Sequence, residues 1–461
     1  MITALRPSNV KIYFEFWPLV WLWPISLVLM QVTLLHLKSF EITLSVVICH
    51  VLEVYIVVLY WLRRPPDAQI VTALGLIAYT LGLGLFAWNG IEFGRSLALF
   101  LNLIAMVLIC LNARLATRPE IRRSVAVFCV AAAGAGLFII AQALTFHADN
   151  FVLSNILGPL APIGPGNEVY DVTAKAPPPR PAGFYSEPSV AGWFMTFATA
   201  LALACRRLYP VLTTLAATIC ALAAMATLSL TGVLGAATVL AGYVLLVRDR
   251  LGYKLLWLGL AGTGVTTVLV YAYHLGILER FHNMNTPGTS VYFRMNAPSR
   301  LISESLDRFP FGYPLGQTNF IASRHYYFNW LQGTQTTIDN TLLSIVFYFG
   351  ILGLAMNATY LIQLARYLLL RRHPIGLLML SLLISLATTG AGWGHHVVLM
   401  IGYAIVVGRY LHARGLLEST LTRKELARLH SAAVRRVVGT RNAASSSASR
   451  ALAARRWRAL T

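Results

Sequence analysis

Residues 289–316 read TSVYFRMNAPSRLISESLDRFPFGYPLG. They form the centre of a polar, arginine-bearing region, 274–339, which interrupts a chain otherwise built from apolar blocks. Within it, residues 297–308 have apolar side chains at helical spacing, which predicts a short amphipathic helix with one face made by Leu301, Ile302, Ser305 and Leu306. Prolines and glycines at 309–316 predict a turn-rich exit.

The composition around this region is typical of a polytopic membrane protein. Hydrophobic residues make up 57% of the 461 residues and charged residues only 12%, about half of the share in soluble domains. A membrane-spanning helix needs roughly 20 apolar residues. Blocks of about this length lie at 17–36, 41–62, 70–89, 95–112, 124–145, 188–205, 209–227, 230–247, 255–274, 340–368, 375–390 and 395–411. The sequence therefore predicts an all-α integral membrane protein with about 12 transmembrane helices.

Lysine and arginine are distributed unequally over the connections between these blocks. Most of the 37 basic residues fall in alternate connections and after position 408, whereas the other connections hold few. The positive-inside rule therefore predicts cytoplasmic N- and C-termini. The long loops, about 146–187 and 275–338, then lie outside the cytoplasm, and both contain arginines. The expected domains are a transmembrane domain, 1–411, and a basic cytoplasmic tail, 412–461.

The net charge of +20 fits membrane contact. The tail has the composition of a segment attracted to anionic headgroups, so membrane lipids are expected partners. Nucleic acid is the weaker alternative partner and is not expected, because no nucleic-acid-binding motif accompanies the basic residues. The first block is too long for a signal-peptide core and is expected to be retained. The five cysteines and the pair His395 and His396 lack metal-site spacing, so no metal or cofactor is expected.

A first motif, RPAGFYSEPS at 180–189, leads into the sixth apolar block. Ser186, Glu187 and Pro188 have the residue types of a helix start, which is their structural interpretation. Arg180 precedes them just above the membrane, where a guanidinium group suits a phosphate. A solvated loop arginine is the alternative.

Aromatic side chains crowd the region 274–339, among them Tyr292, Tyr313 and Trp330. Their flat faces suit stacking on sugar rings, and they suit a membrane interface equally well. The aromatic content alone therefore leaves a glycan site and an interface belt open.

Two further polar features lie at the start of one apolar block and inside another. TIDNTLL at 337–343 opens the tenth block and is followed by FYFGILGL at 347–354. Asp339 and Asn340 are ordinary helix-capping residues, while a cavity-facing Asp339 would be a general base or an orienting carboxylate. His50 and Glu53 share one helix face within the second block, which fits either a local packing pair or a functional intramembrane acid.

At three of these segments the chain resembles the O-antigen ligase and polymerase superfamily, specifically the Wzy-type polymerases of bacterial exopolysaccharide export, including the xanthan polymerase type. RPAGFYSEPS looks like that family's arginine-and-glycine motif before a central helix. Arg294, followed by a short helix and then PFG at 310–312, looks like its second arginine motif. The pair at 339–340 with the two glycines of 350–353 looks like its late-span motif. The resemblance covers about 170–365.

The resemblance implies a metal-independent, lipid-carrier glycosyltransferase with a GT-C-like helical fold, a large periplasmic loop containing short helices, and a place in the bacterial inner membrane. Its substrate would be an undecaprenyl-diphosphate-linked oligosaccharide, and its candidate partners are a chain-length regulator and the export machinery. Arg180 and Arg294 would clamp the diphosphate, with Arg300 as a third member. The remaining candidate contacts to the glycan are Tyr292, Tyr313, Asn340 and Trp330.

Two departures from the family pattern affect these assignments. The ligases place a histidine where Asp339 stands, which favours a polymerase and leaves the general base open among Asp339, Glu187 and His325. The segment TLSLTG at 227–232 lacks the arginine often found there. The alternatives are an O-antigen ligase that transfers glycan to lipid A core and a polysaccharide flippase or transporter, although no half-to-half symmetry supports a transporter.

Overall fold

The computed structural model describes residues 17–37, 40–63, 102–104, 118–145, 181–185, 187–246, 292–313, 338, 340–370, 373–388 and 394–413, with isolated positions between 255 and 270. All of them belong to the first of the chain's two compact units, Met1–Leu416. The predicted tail and most of the blocks at 70–89, 95–112 and 255–274 lie outside the described residues, so those predictions stay predictions.

The described part of the chain is mostly helical. Its helices are α1 (Trp17–Val20), α2 (Leu22–Val28), α3 (Leu44–Arg63), α4 (Arg118–Thr145), α5 (Pro188–Ala204), α6 (Pro210–Ala226), α7 (Leu230–Leu246), α8 (Ala297–Arg308), α9 (Thr341–Ala365), α10 (Ile375–Thr388) and α11 (His395–Ala413). Short π-helical turns precede α8 (Tyr292–Asn296) and follow α9 (Arg366–Leu370). The predicted blocks 188–205, 209–227 and 230–247 match α5, α6 and α7 to within one residue.

Helix α5 lies at the centre of the described bundle, and every residue from 191 to 204 is buried. Its close partner is α7, because Gly192 and Gly232 face each other without side chains. A Cβ atom at Gly192 would lie 2.7 Å from the Cα atom of Gly232. Thr196 Oγ1 donates to the Gly192 carbonyl across 2.9 Å, so its hydroxyl is satisfied within the bundle. Small residues at helix contacts are typical of packing within membranes.

The first predicted span, 17–36, is wrong in its second half. Helix α2 ends at Val28, and strands β1 (Thr33–Leu37) and β2 (Phe40–Thr43) then pair antiparallel, with Thr33 opposite Thr43. Threonine and isoleucine are β-branched and favour this extended pairing. Mean apolarity does not separate a strand from a helix, which is why the sequence analysis missed the hairpin. The all-α prediction therefore needs one two-stranded sheet added.

The predicted span at 340–368 is also corrected, because α9 folds back on itself at Gly350, whose backbone is non-helical. The Asn357 side-chain amide donates to the Leu342 carbonyl across 2.7 Å, although a straight helix would separate these residues by about 22 Å. A Cβ atom at Gly353 would lie 2.8 Å from the Cα atom of Val346. The two halves are therefore antiparallel neighbours, here named the first arm (341–349) and the second arm (351–370).

Two described segments are long and apolar enough to cross a membrane by length and composition, Pro119–Leu144 and Thr341–Leu370, and shorter apolar helices accompany them. Because of the fold-back, only the second arm of the latter segment continues in one direction far enough to cross. The helices are consistent with a membrane protein. The number of twelve spans stays a prediction.

Candidate functional site

Helix α8 occupies Ala297–Arg308, the range that the sequence predicts. Leu301, Ile302 and Ser305 are buried, and Leu306 is partly buried, so the predicted apolar face is confirmed. The π-helical turn before α8 contains both Tyr292 and Arg294. The second arginine motif is therefore one continuous helical element that packs by its apolar side.

Helix α8 runs beside the first arm in the same direction, because both ends are joined to it by hydrogen bonds. At the beginning, Asn340 Nδ2 donates to the Arg294 carbonyl across 3.2 Å. At the end, the Tyr313 N–H donates to the Phe347 carbonyl across 2.9 Å. The two motifs thus form a single structural unit.

The far end of this unit is a crossing of two glycine backbones. Gly312 and Gly350 have φ angles of +94° and +55°, which side-chain-bearing residues rarely adopt. A Cβ atom at Gly350 would lie 2.6 Å from the Gly312 nitrogen, and one at Gly312 would lie 2.7 Å from the Gly350 nitrogen. The Ile351 N–H donates to the Pro310 carbonyl across the same crossing, at 2.9 Å. The crossing explains why both segments carry glycine.

Asn340 joins the near end of the unit. It is the N-cap of α9, and its Oδ1 accepts a hydrogen bond from the Leu343 N–H at 3.1 Å, which confirms its predicted capping role. Its side chain is 3% exposed, and its amide group holds the Arg294 backbone. Both ends of the side chain are therefore engaged within the protein. Contact with glycan stays a prediction for this residue.

The Arg294 side chain is partly exposed, with its Nε atom buried and without an acceptor among the described residues. A guanidinium group whose backbone is fixed and whose donors are available suits an anionic oxygen. Arg300 lies on the exposed side of α8. Tyr292 is buried, and the Tyr313 ring stacks on Phe347 with centroids 5.0 Å apart.

The structure thus brings Arg294 and Asn340 together and places Tyr292 in the same helical turn as Arg294. Four predicted site residues lie outside the described residues: Arg180, His325, Trp330 and Asp339. The convergence of Arg180 and Arg294 on one diphosphate, and the identity of the base, therefore stay predictions.

The rest of the first motif is anchored to the end of α4. The Gly183 N–H donates to Gln142 Oε1 across 2.8 Å, and the Phe184 ring stacks on Phe138 with centroids 4.7 Å apart. Tyr185 is fully buried, and this burial raises the pKa of its hydroxyl well above the usual value, so the group is neutral at physiological pH. These contacts hold the segment that directly follows Arg180.

Helix α5 begins with Pro188 in its first turn, as predicted. Glu187 is its N-cap residue, and its carboxylate accepts a hydrogen bond from Ser189 Oγ across 2.8 Å instead of capping the helix. A carboxylate at this position is stabilised by the positive end of the helix dipole. The geometry of Glu187 fits either a structural role at the start of the helix or the role of a general base.

Sequence reasoning paired His50 with Glu53, and the structure confirms the pair, with Nδ1 2.9 Å from Oε2. It missed the contacts that surround the pair. The His50 ring meets His395 edge-on with centroids 5.2 Å apart, and His396 stacks on Trp193 at 6.0 Å. Only the histidine-rich start of the last block gave a signal for this cluster.

The fold and the site together define a helical membrane protein that fixes an arginine-bearing segment against a folded-back pair of helical arms. The chain belongs to the WcaD colanic acid polymerase family, whose family model matches residues 18–410. Membership confirms the resemblance to Wzy-type exopolysaccharide polymerases and supports a polysaccharide polymerase of glycosyltransferase type. No curated protein and no solved structure matches the chain.

Proposed function

We propose that this protein joins undecaprenyl-diphosphate-linked oligosaccharide repeat units into exopolysaccharide on the periplasmic face of the bacterial inner membrane. The growing glycan leaves its own carrier and is transferred to the next lipid-linked repeat unit. The observation that carries this proposal is the placement of Arg294, whose backbone is held by Asn340 while its buried Nε–H has no acceptor among the described residues.

The proposed reaction is a single inverting displacement. A hydroxyl oxygen of the acceptor repeat unit attacks the anomeric carbon of the donor glycan, and the bond from that carbon to the diphosphate oxygen breaks. The bonding electrons leave with the lipid diphosphate, and the hydroxyl proton passes to a carboxylate base. Asp339 is the proposed base because it directly precedes the Asn340 cap, with Glu187 and His325 as the alternatives.

The arginines accelerate the reaction by electrostatic stabilisation of the leaving group. Negative charge grows on the leaving oxygen as the bond breaks, and fixed guanidinium groups in a water-poor cleft stabilise that charge more in the transition state than in the ground state. Removal of one comparable donor costs roughly 3 kcal/mol, or about a hundredfold in rate. Arg180 and Arg294 are assigned this role, with Arg300 as a third member.

The experiment is replacement of Arg294 by Ala, and separately of Arg180 by Ala, in cells that make the polymer. Each variant is expected to abolish long polymer while single repeat units stay on the lipid carrier. Arg409→Ala is the matched control, because Arg409 is an exposed arginine near the end of α11, a helix that contains none of the three site motifs. Normal polymer length in both Arg180→Ala and Arg294→Ala would refute the proposal.

A second assay separates a polymerase from a ligase. The purified protein receives lipid-linked repeat units, either alone or together with lipid A core. Growth of lipid-linked chains without the core supports the polymerase. Transfer only when the core is present would mean a ligase, and movement of repeat units across vesicles without bond formation would mean a transporter.

A further inference from the structure

The second arm has the length and surface of a single membrane crossing. Its apolar side chains are exposed along its whole course, with Ile351 59%, Ile362 65% and Leu370 81% exposed. Residues 351–370 span about 30 Å, the thickness of the hydrocarbon core. The sequence continues with Arg371 and Arg372, which suit the cytoplasmic boundary. Gly350 therefore marks the outer boundary of the hydrocarbon.

The beginning of the first arm lies well below that boundary. Asn357 follows Gly350 by seven residues, which places it about 10 Å deeper along the second arm. Its side chain donates to the Leu342 carbonyl, so the two residues share one depth. Asn340 lies two residues before Leu342 and holds the Arg294 carbonyl. The backbone of Arg294 therefore lies at roughly a third of the hydrocarbon thickness below the outer boundary.

Helix α8 rises from that depth toward the crossing of Gly312 and Gly350, and its outer face is polar. The exposed residues on this face are Ser299, Arg300, Ser303, Asp307 and Arg308. Charged side chains at membrane depth face water or other protein groups, because contact with hydrocarbon is too costly. Irregular backbone such as the π-helical turn is tolerated there only beside protein or water.

We propose that the Arg294 turn and the polar face of α8 line a water-filled recess, sunk about 10 Å below the outer hydrocarbon boundary, that receives the diphosphate of a lipid carrier. This assignment rests on the proposed function for its ligand, whereas the depth of the recess follows from the fold-back alone. At that depth the guanidinium of Arg294 acts on phosphate oxygens more strongly than it would in bulk water.

The competing arrangement is an amphipathic helix lying flat in the membrane surface, which its polar and apolar faces would also suit. A ladder of cysteines on the exposed face distinguishes the two. Ser299→Cys, Ser303→Cys and Asp307→Cys are each introduced into the full chain after the five native cysteines are replaced by alanine; the four that the structure describes are buried. A thermal unfolding midpoint in detergent equal to that of the cysteine-free parent verifies the fold of each variant.

Depth is measured in lipid nanodiscs by quenching of a thiol-linked bimane with lipids that carry nitroxides at known positions. The recess predicts that depth decreases at each step from 299 to 303 to 307, by at most about 6 Å, which is the rise of four helical residues. Equal depths at the three positions would overturn it. Ser299→Cys must also react with a charged, membrane-impermeant methanethiosulfonate at least tenfold faster than Ser305→Cys on the buried face. A Ser299→Cys as inert as that control would overturn the water-filled recess.

The ligand is tested on the same variant. Undecaprenyl diphosphate is expected to slow labelling of Ser299→Cys severalfold, whereas undecaprenyl monophosphate and inorganic diphosphate are expected to protect less. A graded depth without such protection would refute the ligand assignment and leave the recess standing. Protection combined with equal depths would refute the recess and leave the proposed function standing.

Discussion

The side-chain amide of Asn340 donates to the backbone carbonyl of Arg294, while its Oδ1 caps the helix that begins at Thr341. One buried side chain therefore ties the arginine turn to the first arm, at a sequence separation of 46 residues. The amide contacts the backbone of Arg294. It therefore fixes the point from which the Arg294 side chain extends and does not use the guanidinium group itself.

Asn340→Asp is expected to lower polymerase activity by roughly five- to a hundredfold. The aspartate keeps the capping oxygen for Leu343 but loses the donor to the Arg294 carbonyl, which corresponds to about 1–3 kcal/mol for a buried polar group without its partner. The measurement is kcat and KM for lipid-linked repeat units. Because the effect acts through Arg294, Asn340→Asp should weaken undecaprenyl diphosphate binding in the parent protein and have no added effect in Arg294→Ala. Equal losses in both backgrounds would contradict this coupling.

Gly350→Ala is expected to destabilise the folded protein by more than about 2 kcal/mol. The new Cβ atom would overlap the Pro310 carbonyl oxygen and would force a side-chain-bearing residue to a φ of +55°. The readout is the midpoint of thermal unfolding in detergent. Gly134→Ala is the matched control, because nothing lies within 4 Å of a Cβ there and alanine favours the helix by about 1 kcal/mol. A Gly350→Ala as stable as this control would contradict the tight crossing.

The part of the site that sequence predicts well is the part that depends on local chemistry. Helix α8 follows from its apolar periodicity, and the cap at Asn340 follows from its residue type before an apolar run. The fold-back of α9 could not be predicted in this way, because a straight span and two antiparallel arms have the same mean apolarity. The sequence contained two signals inside an apolar block, Gly350 and the polar Asn357. Only the hydrogen bond from Asn357 to the Leu342 carbonyl in the structure shows that they mark a fold-back.

The N-terminal correction has the same cause. The first predicted block extends to residue 36, yet residues 33–37 pair with residues 40–43 in a hairpin. Whether such a segment forms a helix or a strand depends on the strand with which it pairs. The composition of the segment alone contains no information about that partner. In contrast, α5 to α7 are apolar on all sides, and α5 is buried from residue 191 to 204, so composition and length located their ends.

Asn357→Leu is expected to loosen the pairing of the two arms. The substitution keeps the apolar character of the second arm but removes the donor to the Leu342 carbonyl, a bond worth about 0.6–1.7 kcal/mol between helices in a membrane. Thermal unfolding should shift downward, and polymer yield should fall, because Asn340 and Arg294 rest on the first arm. Thr359→Val is the control, since within the described part of the chain the exposed Thr359 hydroxyl bonds only to the Ala355 carbonyl of its own helix. An Asn357→Leu protein that unfolds at the same temperature as Thr359→Val would argue against the fold-back pair.

Arg294→Lys is expected to lower kcat by about a hundredfold with little change in KM. Lysine keeps the positive charge but presents a single ammonium in place of the planar fork that matches two phosphate oxygens. If Arg294 stabilises the charge that grows on the leaving diphosphate, the loss occurs in the transition state and appears in kcat. Arg409→Lys, at an exposed position of α11 outside the site motifs, should leave both constants unchanged and shows that the effect is specific to Arg294. A variant that raises only KM would assign Arg294 to ground-state binding of the carrier, and the leaving-group role would then pass to Arg180 or Arg300.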